Sequence, residues 1–164
     1  MKKTIAILGS TGSIGQSTLE IIKKCNNLKV ELLVANKNYK KIVNQIKVFN
    51  PRILIMINHL AYLKLKHKYK NKNIIILNNF NNIEDYIRKF DVTISAIPGI
   101  AGLEPTILFT KLSKKILLAN KESIICGWQL IKKASIQYKT QIVPIDSEHF
   151  SINMLLKNYQ PNQI

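Results

Sequence analysis

Three short clusters in this chain combine side chains that can do chemistry, and each follows an apolar run. Pro144-Ile145-Asp146-Ser147-Glu148-His149 sets two carboxylates one residue apart. In an extended chain Asp146 and Glu148 point to the same side, and paired hard oxygens suit Mg²⁺ or Mn²⁺. The same residues also fit a helix start, with Asp146 or Ser147 as N-cap and Glu148 in the first turn. Spacing leaves both readings open, and a metal would need substrate oxygens or a third ligand as well. His149 stands where it can orient the carboxylates. In Leu117-Leu-Ala-Asn120-Lys121-Glu122-Ser123, Asn120 can donate and accept, Lys121 carries a compact cation suited to phosphate, and Glu122 can accept from hydroxyls. A polar helix start is the alternative. Gly9-Ser-Thr-Gly12-Ser-Ile-Gly15 follows Ile5-Ala-Ile-Leu8. It reads as a strand, a glycine turn and a helix whose free N–H groups and dipole favour an anion. A dinucleotide pyrophosphate is the expected guest, a tight turn without ligand the alternative.

A fourth stretch bears on which dinucleotide. A site for NAD commonly offers a carboxylate to the ribose hydroxyls at the end of the second strand. Here the sequence is Ala35-Asn36-Lys37-Asn38, with Lys40 and Lys41 nearby. A carboxylate would repel a 2′-phosphate, whereas Lys37 and the asparagines can hold one, so the expectation is NADP. A basic loop in a chain rich in lysine and asparagine is the competing account.

These clusters must be carried by alternating elements. After the glycine turn, Ile14, Thr18, Ile21 and Ile22 recur at helical spacing. The pattern then predicts strands at 29–35, 52–57, 74–77, 91–95, 115–119 and 141–145. Helices are expected at 39–49, 59–69, 83–89, up to Leu112, at 122–138 and after 145. Leu60, Leu63 and His67 share one side of their helix, and Gly127 is placed to bend the helix containing it. Pro51 disfavours helical geometry at Asn50. Ala96-Ile-Pro-Gly-Ile-Ala-Gly102 is a second glycine-containing strand exit. Such alternation predicts an α/β fold with a parallel sheet, whose ligands lie beyond the carboxyl ends of the strands. The chemical clusters sit at those ends.

The 164 residues suffice for a core. No apolar stretch has the length of a membrane span, and Met1-Lys2-Lys3 leads straight into a strand, without the pattern of a signal peptide. Cys25 and Cys126 lack metal-ligand spacing, which points to a reduced, cytoplasmic protein. A net charge of +16 raises nucleic-acid binding as a function. The lysines are scattered, however, and no nucleic-acid motif is present. His59 and His67 read as surface or packing residues, Cys126 and Trp128 as packing residues.

Taken in order, Gly9–Gly15, Leu118-Ala-Asn-Lys-Glu-Ser123 and Pro144-Ile-Asp-Ser-Glu-His149 resemble the 1-deoxy-D-xylulose 5-phosphate reductoisomerase family, as does Ala96–Leu103. The resemblance runs from Met1 to about His149. It implies a Rossmann-like doubly wound parallel sheet over residues 1–145 and the start of a truncated catalytic domain over 146–164. It implies an NADPH-dependent oxidoreductase that isomerises and reduces 1-deoxy-D-xylulose 5-phosphate to 2-C-methyl-D-erythritol 4-phosphate in isoprenoid biosynthesis. Thr11, Gly12, Ser13 and Ile14 would hold the NADPH pyrophosphate region. Asn36, Lys37 and Asn38 would meet the adenosine side, with Asn36 where glycine is common. Asn120 and Glu122 would contact NADPH. Lys121, Ser147 and Glu148 would meet the phosphorylated ketose, Lys121 and Glu148 as catalytic residues. Asp146 and Glu148 would bind Mg²⁺ or Mn²⁺.

The complete enzyme would be a cytoplasmic homodimer that binds neither membrane nor specific nucleic acid. Two departures stand out. Phe150-Ser151 replaces the small residues usual after the metal motif, putting a bulky ring beside it. The chain also ends at Ile164, short of the family's length; the resemblance implies that the remainder would carry a third metal carboxylate, the main substrate-phosphate contacts and a flexible loop over the site. The expectation is an N-terminal portion that is inactive alone. A non-catalytic NADPH-binding remnant and a basic nucleic-acid-binding domain are the alternatives.

Overall fold

Alternation along the first strand sets the architecture. In the computed structural model, which describes residues 1–158, β1 (Lys3–Leu8) turns Ile5 and Ile7 into one apolar layer and Ala6 and Leu8 into another. A strand buried on both faces needs helices on both sides. Parallel neighbours are β2 (Leu28–Ala35), β3 (Ile53–Met56), β4 (Ile75–Leu77), β5 (Val92–Ser95), β6 (Lys115–Leu118) and β7 (Gln141–Pro144). Their order is β4-β3-β2-β1-β5-β6-β7. The chain therefore builds outward from β1 to β4, returns across the sheet, and builds outward on the other side from β5. The doubly wound α/β sheet expected from the sequence is present. Residues 159–164, the end of the expected second segment, lie outside the described residues.

The reversal divides the helices. From α1 (Ser13–Lys23), α2 (Tyr39–Phe49) and α3 (His59–Lys68), the side chains Leu19, Ile22, Ile42, Val43, Ile46 and Leu65 pack on the Ile5–Ile7 face. From α4 (Leu103–Lys111), α5 (Lys121–Tyr138) and the 83–90 segment, Phe109, Ile131, Ile83 and Phe90 pack on the Ala6–Leu8 face. A final helix, α6 (Ser147–Asn158), follows β7.

Two features govern the rest of the sheet. The β1–β2 ladder shifts register between Ile5 and Ala6, leaving Glu31 as the extra residue of a bulge. Its buried carboxylate meets Lys29 Nζ at 2.8 Å and Arg52 Nε at 2.5 Å. Burial pushes this carboxyl up, but the two cations outweigh it and hold it below the ordinary range. At the amino ends of the strands, Asp91 accepts from Thr4 N (2.8 Å), Thr4 Oγ1 (3.1 Å) and Lys114 Nζ (2.7 Å). It thereby ties together the starts of β1, β5 and β6.

Several expectations need correction. In α1 the buried face is Gly15, Leu19 and Ile22, whereas Ile21 faces solvent. In α3, Leu60, Leu63 and His67 do share a side, but it is the exposed one; Ala61 and Leu65 are buried. Residues 83–86 form a 3₁₀ turn rather than a helix to Lys89. Cys126 and Trp128 are exposed, not packed. The bend at Gly127 is present, with φ −139° and ψ 15°.

Candidate functional site

β1 and β5 lie side by side, yet the chain leaves them in opposite directions, so a crevice opens beyond their carboxyl ends. Gly9 begins the first exit with φ +85°, a left-handed conformation that favours glycine. Any Cβ there would also fall 2.5 Å from Ala96 O on the second exit. A Cβ on Gly15 would fall 2.4 Å from Gly9 O, so glycine lets α1 start directly against the turn. Gln16 N closes the first helical bond on Gly12 O at 2.9 Å. The amides of Ser13, Ile14 and Gly15 precede it and have no intrahelical partner. Among the described residues no side chain caps this end, and its first turn holds no acidic residue. The arrangement suits an anion.

Two cavities adjoin along the crevice. The first, of about 500 Å³, lies between Thr11 and Gly12 on one side and Asn36, Lys37 and Asn38 on the other. Val34, Ile57, Phe80, Ala101 and Pro105 supply an apolar wall. Asn38 caps α2 by accepting from Lys41 N at 3.1 Å. Lys37 makes no salt bridge among the described residues. The second cavity, of about 440 Å³, is lined by Gly12, Ser13 and Ile14, by Asn120, Lys121 and Glu122, and by Asp146, Ser147 and Glu148. Gly12, Ala96, Ile97 and Pro98 border both. Every site residue expected from the sequence lines one of these two spaces.

The apolar wall was invisible in the sequence. Ile57 and Phe80 follow β3 and β4, and Ala101 and Pro105 surround the start of α4. Nothing in their types separates them from core residues; only the rule that ligands lie beyond strand ends could have singled them out. Ile14, assigned by spacing to a helical apolar face, is instead partly exposed at the second cavity.

Asn120 is almost wholly buried and is held on every side. Its Oδ1 accepts from Ser123 N (2.9 Å), capping α5, and its Nδ2 donates to Gly99 O (2.8 Å) and to Ile97 O. It thereby fixes the exit from β5 against the start of α5. Both amide hydrogens are engaged, so a ligand would meet its backbone or the free lone pair of Oδ1.

The chain does not stay extended through the acidic pair. Asp146 is the N-cap of α6, its Oδ1 accepting from His149 N at 3.0 Å, and His149 Nδ1 meets the same oxygen at 2.7 Å. Glu148 therefore stands in the first helical turn, not one pleat along a strand. The two readings left open by spacing are compatible, because the cap uses only one oxygen. Asp146 Oδ2 is buried with no hydrogen-bond partner among the described residues, an arrangement that fits a cation. Glu148 meets Lys121 Nζ at 3.1 Å and accepts from Ser147 Oγ at 2.8 Å. The Ser147 hydroxyl, its own backbone amide and Lys121 hold its carboxyl at about 2. Glu148 in turn raises Lys121 above the ordinary lysine range, with smaller help from Glu122 and Asp146. Both groups are thus charged at neutral pH. Among the described residues, no group of three or more His, Cys, Asp or Glu side chains comes together. Phe150 is half exposed and lines neither cavity.

A family model described as 1-deoxy-D-xylulose 5-phosphate reductoisomerase matches residues 5–127. The reductoisomerase of that name from Pelagibacter ubique is 50% identical over 164 residues, covering 98% of this chain and 42% of its own length. The one from Clostridium tetani is 39% identical over 155 residues, covering 92% and 40%. Among solved structures, the Zymomonas mobilis reductoisomerase in complex with NADPH matches with a TM-score of 0.82 and 32% identity, covering 91% of this chain and 40% of its own. A DOX-P reductoisomerase in complex with NADPH, fosmidomycin and magnesium matches with a TM-score of 0.82 and 35% identity, covering 90% and 37%. The chain thus spans about 40% of the length of these relatives.

Proposed function

The chain belongs to the 1-deoxy-D-xylulose 5-phosphate reductoisomerase family, and from that premise we propose that it forms the NADPH-binding part of such an enzyme. The proposed overall reaction converts 1-deoxy-D-xylulose 5-phosphate to 2-C-methyl-D-erythritol 4-phosphate. Residues 1–145 are the cofactor domain in this reading, and 146–164 begin the domain that completes the metal and substrate site. The 164 residues alone are expected to bind cofactor without turnover, in a cytoplasmic enzyme that is a homodimer when complete.

The observation that carries the reading is the continuous crevice, which has a glycine turn at its middle, Lys37 at one end and the Lys121–Glu148–Asp146 cluster at the other. The residues suit such ligands. An uncapped helix N-terminus suits a pyrophosphate. A lysine without a salt-bridge partner suits a 2′-phosphate, and the apolar wall with Ile57 and Phe80 suits a flat base. Asp146 Oδ2 and Glu148 would offer hard oxygens to Mg²⁺ or Mn²⁺.

When bound, NADPH supplies hydride and the divalent ion polarises substrate oxygens. The protein's part is placement. The amides of Ser13 and Ile14 hold the pyrophosphate, and Asn120 fixes the walls on which the nicotinamide end rests. Glu122 accepts from cofactor hydroxyls. Lys121 offers its cation to the substrate, and the Ser147 hydroxyl, whose proton goes to Glu148, offers it a lone pair. Glu148 keeps the charge of its carboxylate at neutral pH, as a metal ligand must.

The test is a fluorescence titration of the chain with NADPH and NADH, beside Lys37→Glu. NADPH is expected to bind more tightly than NADH, and the substitution to weaken NADPH by about tenfold or more, about 1.4 kcal/mol or more. A folded chain that binds neither nucleotide would sink the reading.

A further inference from the structure

The glycine turn is joined to α2 by a pair of reciprocal hydrogen bonds deep in the fold. Ser10 is fully buried, and its hydroxyl donates to Gln45 Oε1 at 2.8 Å. Gln45 Nε2 donates back to Ser10 O at 2.8 Å. The other buried side chains of α2 are Ile42, Val43 and Ile46. A buried amide and hydroxyl among aliphatic neighbours add little to stability over apolar groups of the same shape. What they add is direction, because a half-satisfied pair is costly. Gln45 sits on the helix that begins at Tyr39, directly after Lys37 and Asn38. Ser10 N is meanwhile bonded to Val34 O at 2.9 Å, close to the end of β2. The turn amides and the loop around Lys37 are therefore held in one frame, with Gln45 as its side-chain link.

We infer that Gln45 is a positioning residue for the dinucleotide, fixing the distance between the pyrophosphate turn and the 2′-phosphate loop without touching the ligand. The inference rests on the NADPH reading above. It predicts that loss of the link weakens the ligand that must be gripped at both points more than the one gripped only at the pyrophosphate.

Gln45→Met keeps length and volume but removes both bonds; Ser10→Ala removes one hydroxyl from the other side. Each is titrated with NADPH and NADH at a temperature well below its melting midpoint, beside the unsubstituted chain. The expected result is about a tenfold loss of NADPH affinity in Gln45→Met, with a smaller loss for NADH, so that discrimination narrows. Ser10→Ala should move the same way, and the double variant should be no worse than Gln45→Met, as for residues acting as one unit. NADPH affinity unchanged in both variants, whatever happens to their melting midpoints, would make the pair purely structural and overturn the inference alone. Should Gln45→Met fail to fold, Ser10→Ala decides by the same criterion. An unsubstituted chain that binds no NADPH would overturn the inference together with the reading beneath it.

Discussion

Asp146 performs two tasks with its two carboxylate oxygens, and substitutions can separate them. Oδ1 caps α6, while Oδ2 is buried without a hydrogen-bond partner among the described residues. Asparagine is about as good an N-cap as aspartate, but it is neutral. Asp146→Asn is therefore expected to leave the melting midpoint nearly unchanged while weakening Mn²⁺ binding by about tenfold, read by EPR titration. Asp146→Ala should lose the metal and also about 0.5–2 kcal/mol of stability. Equal Mn²⁺ affinity in all three proteins would remove Asp146 from the metal site. At this scale the polar side chains were legible in the sequence because Asn120, Lys121, Glu122, Asp146 and Glu148 stand directly after apolar strands. Ile57, Phe80, Ala101 and Pro105 were not, since an apolar residue that lines a crevice has the same composition signature as one that lines a core. Nor could spacing reveal Gln45, whose partner is distant in the chain and close only once β1 and α2 are packed.

Among the elements, β2 is the unusual one. Without Glu31 its ladder with β1 would run in unbroken register, because Val30 pairs with Ile5 and Leu32 with Ala6. Side chains alternate faces along a strand, so a one-residue change elsewhere would send each later side chain to the wrong layer. Deletion of Glu31 should therefore preserve a cooperative thermal transition, at a cost of about 1–3 kcal/mol for the lost charged hydrogen bond from Arg52. Deletion of Leu33 should abolish the transition, as followed by circular dichroism. Most elements were legible from apolar runs bounded by glycine, proline and asparagine. The faces of α1 and α3 were less so: both helices carry apolar residues on more than one side, and only packing decides which side is buried. Likewise, α6 begins at Ser147 because Asp146 caps it, a choice that spacing alone left open.

At the scale of the molecule, the two ends of the sheet have different work. The carboxyl ends open into the crevice; at the amino ends Asp91 ties β1, β5 and β6 together. Hydrogen bonds from Lys114 and from the Thr4 backbone hold its carboxyl at about 2 against an ordinary 3.8. A depressed carboxyl stabilises the fold fully above its unfolded value and loses that contribution as the pH falls through the folded one. The contribution should therefore vanish between about 3.8 and about 2. Urea midpoints measured above and below that window should fall in the parent and fall less in Asp91→Asn. An equal fall in both would show that other carboxylates dominate. Alternation in the sequence announced a parallel sheet, but not where its order reverses, because each return connection looks like any other helix or loop.

That reversal also sets the order in which the crevice comes into being on the ribosome. Its adenosine side is assembled from segments that end with Pro105, whereas the cluster at the other side is not complete until Glu148 has emerged. In the proposed reading, the residues facing the adenosine end of the nucleotide therefore leave the ribosome before those facing its reactive end, while the wall they share, at Ile97 and Gly99, is fixed only when Asn120 arrives.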